Sequence, residues 1–581
     1  MSVPMSRRRR IAVMVLVLGA FWLTRAIELG HFVTPDEQRW ITRSANFFQA
    51  LWARKTADTF QSNHPGVTAM WVGTIVFVIK YPEYPEHVRA QASVALEGVG
   101  AVLRAQGRSP LEMLVTARAL MLVLHTAVLI AVAWYAVRLI GFGPTMVAGI
   151  LLAVDPFHIS NTRIFHLDAL EGEFLMLSVL ALVSHARLEG RQGDLVVSGV
   201  AGGLAVITKI PAIGIVMFAG VFLLAYNWVT RSREPAERTK WLADGAKSMV
   251  IWSVSALAIA MLLWPTLWDG PRYTLQRLFL GSLRHVGGGG NQAAEFFLGS
   301  IERRLSPLYY PVSYLWVVTP PFVAGLVLAA VAWFKRWRPL DDVWHRRACL
   351  VVLVFAAGFV LELMNAGIKA QRYLLPAHLA LVLLAGVGWF AAAERLWRLE
   401  GRRAVRLAGA ALLAVLVVQH AVALVRSAPY YYTYDNVLVG GRRTLRMVMS
   451  DGGGEGLDQA ARYLNALPGS EQLVVCSWYG QGPFSYYFRG KTTGLEARWS
   501  DELAERLESA DYLVAYTHQW QRKMPSEQFL NYLDRIKPEH VVRIDGFEYA
   551  RIYRLRGTRI AADLRALHDS DVAAGQPASR S

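Results

Sequence analysis

RRRRIAVMVLVLGAFWLTRAIEL, residues 7–29, sets the architecture, because everything downstream depends on whether it stays in the mature chain. Four arginines precede an apolar run of a length that crosses the roughly 30 Å hydrocarbon layer as a helix. A cleaved leader would need a small-residue cleavage site before TRAIELGHF, and none is present, so the run reads as a retained helix with its arginines on the cytoplasmic side.

Similar runs recur at about 112–138, 143–158, 167–186, 195–208, 210–228, 247–267, 311–334, 347–365, 373–394 and 405–425, giving about eleven crossings. Of 581 residues, 54% are hydrophobic and 19 are Trp, and the mean hydropathy is +0.29, too apolar for an ordinary soluble enzyme. Basic clusters at 7–10, 231–240, 335–338 and 395–406 fall on one side if each run crosses once. That side is the cytoplasm of a multi-pass plasma-membrane protein, and the formal charge of +17 is absorbed by loops beside anionic lipid. No basic domain stands apart as a nucleic-acid site. The two cysteines, Cys349 and Cys476, form no disulfide framework or zinc motif and read as packing residues.

This topology places four pieces outside: residues 30–110, a short turn at 158–166, residues 268–310, and everything after about 426. The first holds TPDE, residues 34–37, a helix start with Thr34 as cap, Pro35 at the first position and Glu37 closing a capping box. Capping accounts for Glu37 but leaves Asp36 free to face the membrane surface. The segment that follows, EQRWITRSANFFQALWARKTADTF, alternates aromatic and basic residues as a helix lying in the interface would. It breaks at SNHPGVTAMW, where His64 adds a group that titrates near neutrality.

DPFHISNTRIFHLDALEGEF, residues 155–174, brings Arg163, His166, Asp168 and Glu171 to a helix start, where ionisable groups are costly unless paired or functional. Arg163 and Asp168 are one candidate pair. Lys209 in GLAVITKIPAIG, and Lys369 and Arg372 in GIKAQRYLLP, run against the charge bias of the outer loops, and Tyr373 beside Arg372 joins them as a candidate substrate- or phosphate-binding residue. An anionic ligand accounts for them; snorkelling to headgroups is the competing account for Lys209. No ligand set demands a metal, and the Asp/His group at 155–171 leaves metal dependence open. The four glycines at 287–290 suit either a closing loop or a surface linker.

TPDE, HPG (64–66), RIFHLDAL (163–170), GLAVITK (203–209) and KAQRYLLP (369–376), in this order, resemble the C-type glycosyltransferases of the protein O-mannosyltransferase family, glycosyltransferase family 39, and their aminoarabinose-transferring relatives. The resemblance spans about residues 10–380. It implies a GT-C fold and inverting transfer of a sugar, most simply a mannose-like hexose, from a polyprenyl-phosphate carrier to a hydroxyl acceptor at the external face. Asp36 would be the general base and Glu37 would position substrate or loop. Arg163, Lys369 and Arg372 would meet the departing phosphate, with Asp168 and His166 shaping a second wall. The lipid-linked donor is the only cofactor-like partner implied; the acceptor is a protein, glycolipid or envelope polymer. A transporter or flippase of lipid-linked or anionic substrates is the alternative, although no internal repeat of the transporter kind is present.

After the last crossing, helical and strand-like patterns alternate over 429–556, which suggests a small extracytoplasmic α/β domain behind a membrane module of 1–428. QLVVCSWY and DYLVAYTH read as strands, and HVVRIDGFEYARIYRL as a hairpin turning at DG. DGGGEG (451–456) reads as a turn, since it lacks the lysine of a phosphate loop, and Tyr430, Tyr431, Tyr432 and Tyr434 as interface markers, with sugar stacking the alternative. The tail 557–581 reads as disordered.

Overall fold

The computed structural model describes residues 5–88, 94, 98–187, 190–231, 240–286, 295–398 and 403–573. The glycine run at 287–290 and most of the basic stretch 231–240 lie outside the described residues. Helix α1 (Arg7–Ala26) is capped by the Ser6 hydroxyl, which accepts from the Arg9 N–H. Among the described residues six helices are long and apolar enough to cross a membrane: Pro110–Ile140, Asp168–Arg187, Ile210–Thr230, Trp241–Leu263, Val343–Met364 and Gln371–Trp397. Two bent pairs bring the number to eight if each pair is one span. The protein is a multi-pass membrane protein.

Two of the expected single crossings are the bent pairs. Phe142–Ala153 and Pro156–Thr162 meet at 70°, and Tyr309–Val317 and Pro320–Lys335 at 114°. Proline explains both breaks: it cannot donate to the preceding turn but suits the first position of a new helix. Asp155 and Thr319 cap the new starts through the N–H groups of His158 and Phe322.

Helix α2 (Pro35–Trp52) is not an interfacial helix. It is buried on most sides, from Glu37 through Trp40, Ile41, Ala45 and Phe47 to Ala50, and packs on α3 (Val67–Lys80) within the main helical core. Its alternating pattern misled because Arg39 and Arg43 emerge from otherwise buried turns, with Arg43 stacked over Trp40 at 4.4 Å.

A short hairpin, β1 (Glu295–Phe297) and β2 (Ser300–Glu302), leads from the bundle. Beyond it β3 (Val474–Ser477), β4 (Lys491–Gly494), β5 (Tyr512–Tyr516), β6 (His540–Ile544) and β7 (Phe547–Arg554) form a sheet in the order β4-β3-β5-β7-β6. Its first two pairings are parallel and its last two antiparallel. β6 and β7 turn at Asp545 and Gly546, both at positive φ, as a tight hairpin requires.

The sheet's apolar core also takes in Phe32, from the α1–α2 connection, and Tyr430. Close glycine contacts reinforce this junction. A Cβ on Gly454 (φ +113°) would lie 2.5 Å from the Val33 carbonyl oxygen, and one on Gly482 (φ +82°) 2.1 Å from Gln38 Oε1. DGGGEG is thus a turn whose glycines serve left-handed backbone and close approach. The disordered tail needs correction: Ile560–Ala573 is a helix, with Leu564 buried and Asp563 accepting from the Tyr532 hydroxyl at 2.8 Å.

Candidate active site

The capping box at Thr34 forms, and Glu37 does more than close it. The carboxylate accepts from the Thr34 N–H (2.9 Å), the Phe165 N–H (2.8 Å) and the Arg118 guanidinium at both oxygens (2.7 and 2.6 Å). Arg118 in turn donates to the carbonyls of Leu29, His31 and Phe32. Glu37 is fully buried. Both oxygens of the carboxylate are thus committed to the chain around it, and through Arg118 they tie down the connection between α1 and α2.

One residue earlier, Asp36 faces a cleft of about 540 Å³. Its side chain keeps 31% exposure. Arg372 Nη2 donates to Asp36 Oδ2 at 2.8 Å, with His166 Nε2 at 3.6 Å and Arg39 Nη1 3.7 Å from the carboxylate. Burial works to raise the Asp36 carboxyl, but Arg372, His166 and Arg39 together outweigh it and hold it below the ordinary carboxylate range. The group is therefore a carboxylate near neutral pH.

Behind it lies Asp168. Arg372 Nε stands 3.0 Å from Asp168 Oδ2 and His166 Nδ1 2.7 Å from the same atom, while Lys209 donates to Oδ1. Lys209 Nζ also sits 3.4 Å from the centre of the Tyr373 ring. Asp168 and Lys209 are almost wholly buried, so each charge depends on the other for its stability. Arg372 is shared between a buried anchor and an open carboxylate.

Of the residues singled out from sequence, Asp36, His166, Asp168, Lys209, Arg372 and Tyr373 come together here. Lys369 lines the same cleft and donates to the Met364 carbonyl at 2.9 Å. Arg163 does not pair with Asp168: it donates to the carbonyls of Thr24 and Glu28, each at 3.1 Å, and packs against Tyr431. Arg163 thus braces the start of the α1–α2 connection, and neither it nor His64 is among the described cleft-lining residues. Among the described residues no group of three or more His, Cys, Asp or Glu is arranged to hold a metal ion.

The cleft has a second side that the sequence reading missed. Tyr431, Tyr432 and Tyr434, which read as interface markers in the sequence, line it together with Glu295, Asp435, Arg442, Asp451, Glu455, Tyr479, His518 and Arg522. The charge is polarised. Among the described lining residues, Arg39, Lys369 and Arg372 face Asp36 on the bundle side, and Arg442 and Arg522 face Glu295, Asp435, Asp451 and Glu455 on the other. Arg442 clasps Asp435 and reaches Asp451 at 3.1 Å, while Arg446 reaches Asp451 at 2.8 Å. Burial raises the Asp435 carboxyl to about 7 against the pull of Arg442; burial also acts to raise Asp451, but Arg442 and Arg446 hold it low. Arg118 had a legible signal, an arginine inside an apolar run. Glu295, Tyr479, His518 and Arg522 on the far wall had none, because their meeting depends on contacts between distant parts of the chain.

The fold and the cleft are those of a helical membrane protein with a charged pocket at one end of its bundle. Residues 114–264 match the family model described as dolichyl-phosphate-mannose-protein mannosyltransferase, and the chain resembles the C-type membrane glycosyltransferases. No curated protein gives a match. Similar solved structures include ArnT from Cupriavidus metallidurans bound to undecaprenyl phosphate (16% identity, 94% of this chain and 98% of that one, TM-score 0.46). Another is the oligosaccharyltransferase AglB from Archaeoglobus fulgidus with an inhibitory peptide and a dolichol-phosphate (12% identity, 93% and 74%, TM-score 0.45). Likenesses at this level carry no functional argument.

Proposed function

We propose that this chain is an inverting glycosyltransferase that moves a sugar, in the simplest case a mannose-like hexose, from a polyprenyl-phosphate carrier to a hydroxyl acceptor at the external face of the plasma membrane. The family match over residues 114–264 supports the class. The observation that carries the mechanism is the sharing of Arg372 between Asp36 and Asp168.

Asp36 is the base. The acceptor oxygen attacks the anomeric carbon as its proton passes to the Asp36 carboxylate, and the bond from that carbon to the phosphate oxygen breaks on the opposite face. The phosphate departs as an anion and needs no protonation, so cations suffice: Arg372 and Lys369 meet it from the bundle side. Asp168, held by Lys209 and His166, keeps Arg372 in place. A phosphate that takes up Arg372 Nη2 while Asp168 holds Nε weakens one of the charges that depress the base, so donor binding raises the basicity of Asp36.

In this reading the membrane module is 1–428, the N-terminus is cytoplasmic, and residues 429–556 form an extracytoplasmic α/β unit that closes the cleft. The test is release of polyprenyl phosphate from a polyprenyl-phosphate sugar by purified protein in lipid, with an acceptor panel, for wild type and Asp36→Asn. Acceptor-dependent release that collapses in the variant supports the assignment. Full turnover in the variant removes Asp36 from the mechanism, and movement of lipid-linked sugar across vesicles without release replaces it with transport.

A further inference from the structure

On the cleft wall opposite Asp36, four side chains are linked in a row. Arg522 Nη1 lies 3.4 Å from Glu295 Oε1 and donates to His518 Nε2 at 2.9 Å, and His518 Nδ1 lies 3.1 Å from the Tyr479 hydroxyl. The direction of these bonds follows from chemistry. A guanidinium only donates, so His518 Nε2 accepts. Burial, with Arg522 adding to it, takes the His518 imidazole down to about 3, so the ring is neutral and its proton sits on Nδ1. The ring also hydrogen-bonds the Gly452 backbone, and its Nδ1–H faces the Tyr479 oxygen, which leaves the phenolic hydrogen free of His518.

Tyr479 is also held in a backbone conformation that a large side chain rarely adopts, φ 51° and ψ 39°. Strain of this sort is sustained where the surroundings fix a side chain for use. Its neighbour Glu295 accepts from the Ser450 hydroxyl at 3.0 Å but retains 38% exposure, so carboxylate surface remains open to the cleft. Tyr479, Glu295 and Asp36 line the same cleft.

We infer that Glu295 and Tyr479, oriented by Arg522 and His518, form a glycosyl-recognition subsite: the carboxylate accepts from ring hydroxyls, the phenol donates to a ring or hydroxyl oxygen, and the tyrosines of the cleft supply apolar faces. Paired acceptor and donor groups beside aromatic rings match the alternating polarity of a polyhydroxylated ring. The inference deepens the proposed transfer reaction and rests on it for the ring's origin, either the donor's sugar or a saccharide acceptor.

The test uses the full-length protein in lipid nanodiscs and a panel of methyl hexopyranosides and octyl glycosides, with binding read by saturation-transfer NMR and folding by the thermal midpoint. At least one glycoside should bind wild type, and bind Glu295→Ala and Tyr479→Phe roughly tenfold more weakly, the scale of one hydrogen bond. Wild-type binding in both wall variants, or no binding of any glycoside to wild type, overturns the subsite whatever the turnover of Asp36→Asn. With undecaprenyl-phosphate mannose as donor probe, a rise in donor KM in Glu295→Ala assigns the subsite to the donor ring and a rise in acceptor KM to the acceptor. An unchanged KM for both removes it from the reaction.

Discussion

Asp36 and Arg372 stand 2.8 Å apart across 336 positions of sequence, and the same guanidinium reaches Asp168 behind them. This contact joins the first turn of α2 to the start of a late membrane helix. It turns an ordinary helix-start aspartate into a carboxylate aimed at a cleft.

The first prediction concerns that carboxylate. Asp36→Asn keeps the side chain's size and removes its basicity, so kcat for sugar transfer should fall by about 10²–10⁴-fold. Binding of the lipid-phosphate donor should stay within a few-fold of wild type. Steady-state release of polyprenyl phosphate together with a donor-binding isotherm separates the two; a variant that loses donor binding and keeps kcat contradicts a base.

The second concerns pH. Because cations hold Asp36 below the ordinary carboxylate range, kcat/KM requires the deprotonated group and should fall only as pH drops through that depressed value. Arg372→Gln removes the first of those cations and leaves the burial that opposes it, so the acid limb should move to higher pH. A pH profile of both proteins decides it: an unmoved limb means that Asp36 does not govern the acid side.

The third concerns the loop. Glu37→Gln strips charge from a fully buried pair whose arginine also holds the carbonyls of Leu29, His31 and Phe32. Breaking one partner of such a pair costs about 3–5 kcal/mol. The variant should show a lowered thermal midpoint in detergent, whereas Asp36→Asn should not. Equal midpoints for Glu37→Gln and wild type would rule out the bracing role.

These contrasts also show what could be read from the chain alone. TPDE announced its cap correctly because capping is local: Thr34, Pro35 and Glu37 lie within one turn. Asp168, His166, Lys209 and Arg372 were visible as charges beside apolar runs, where each needs a reason. Their partnership was only half visible. Arg163 looked the natural mate of Asp168 by proximity in sequence, yet the turn at 163–167 carries it toward Thr24 and Glu28. Two single crossings proved to be bent pairs at Pro156 and Pro320, and helix α2 proved buried despite its amphipathic look. The wall containing Glu295, Tyr479, His518 and Arg522 depends on sheet packing, which no short stretch encodes.

The fourth prediction concerns Gly454. A methyl group there meets the Val33 carbonyl and must also adopt φ +113°, so Gly454→Ala should destabilise by more than about 1 kcal/mol. The displacement falls on the residue before Thr34, so kcat should drop even at temperatures where the protein remains folded. Activity and thermal midpoint equal to wild type would mean that the contact does not constrain the site.

Gly454 and Gly482 carry one more consequence. Each lets the C-terminal part of the chain touch backbone or side chain beside Asp36 with no room for an added carbon. A chimaera that joins this bundle to the C-terminal unit of a distant homologue would therefore inherit a mismatched seam beside Asp36. In recombination and in engineering alike, the two halves exchange only as a matched set.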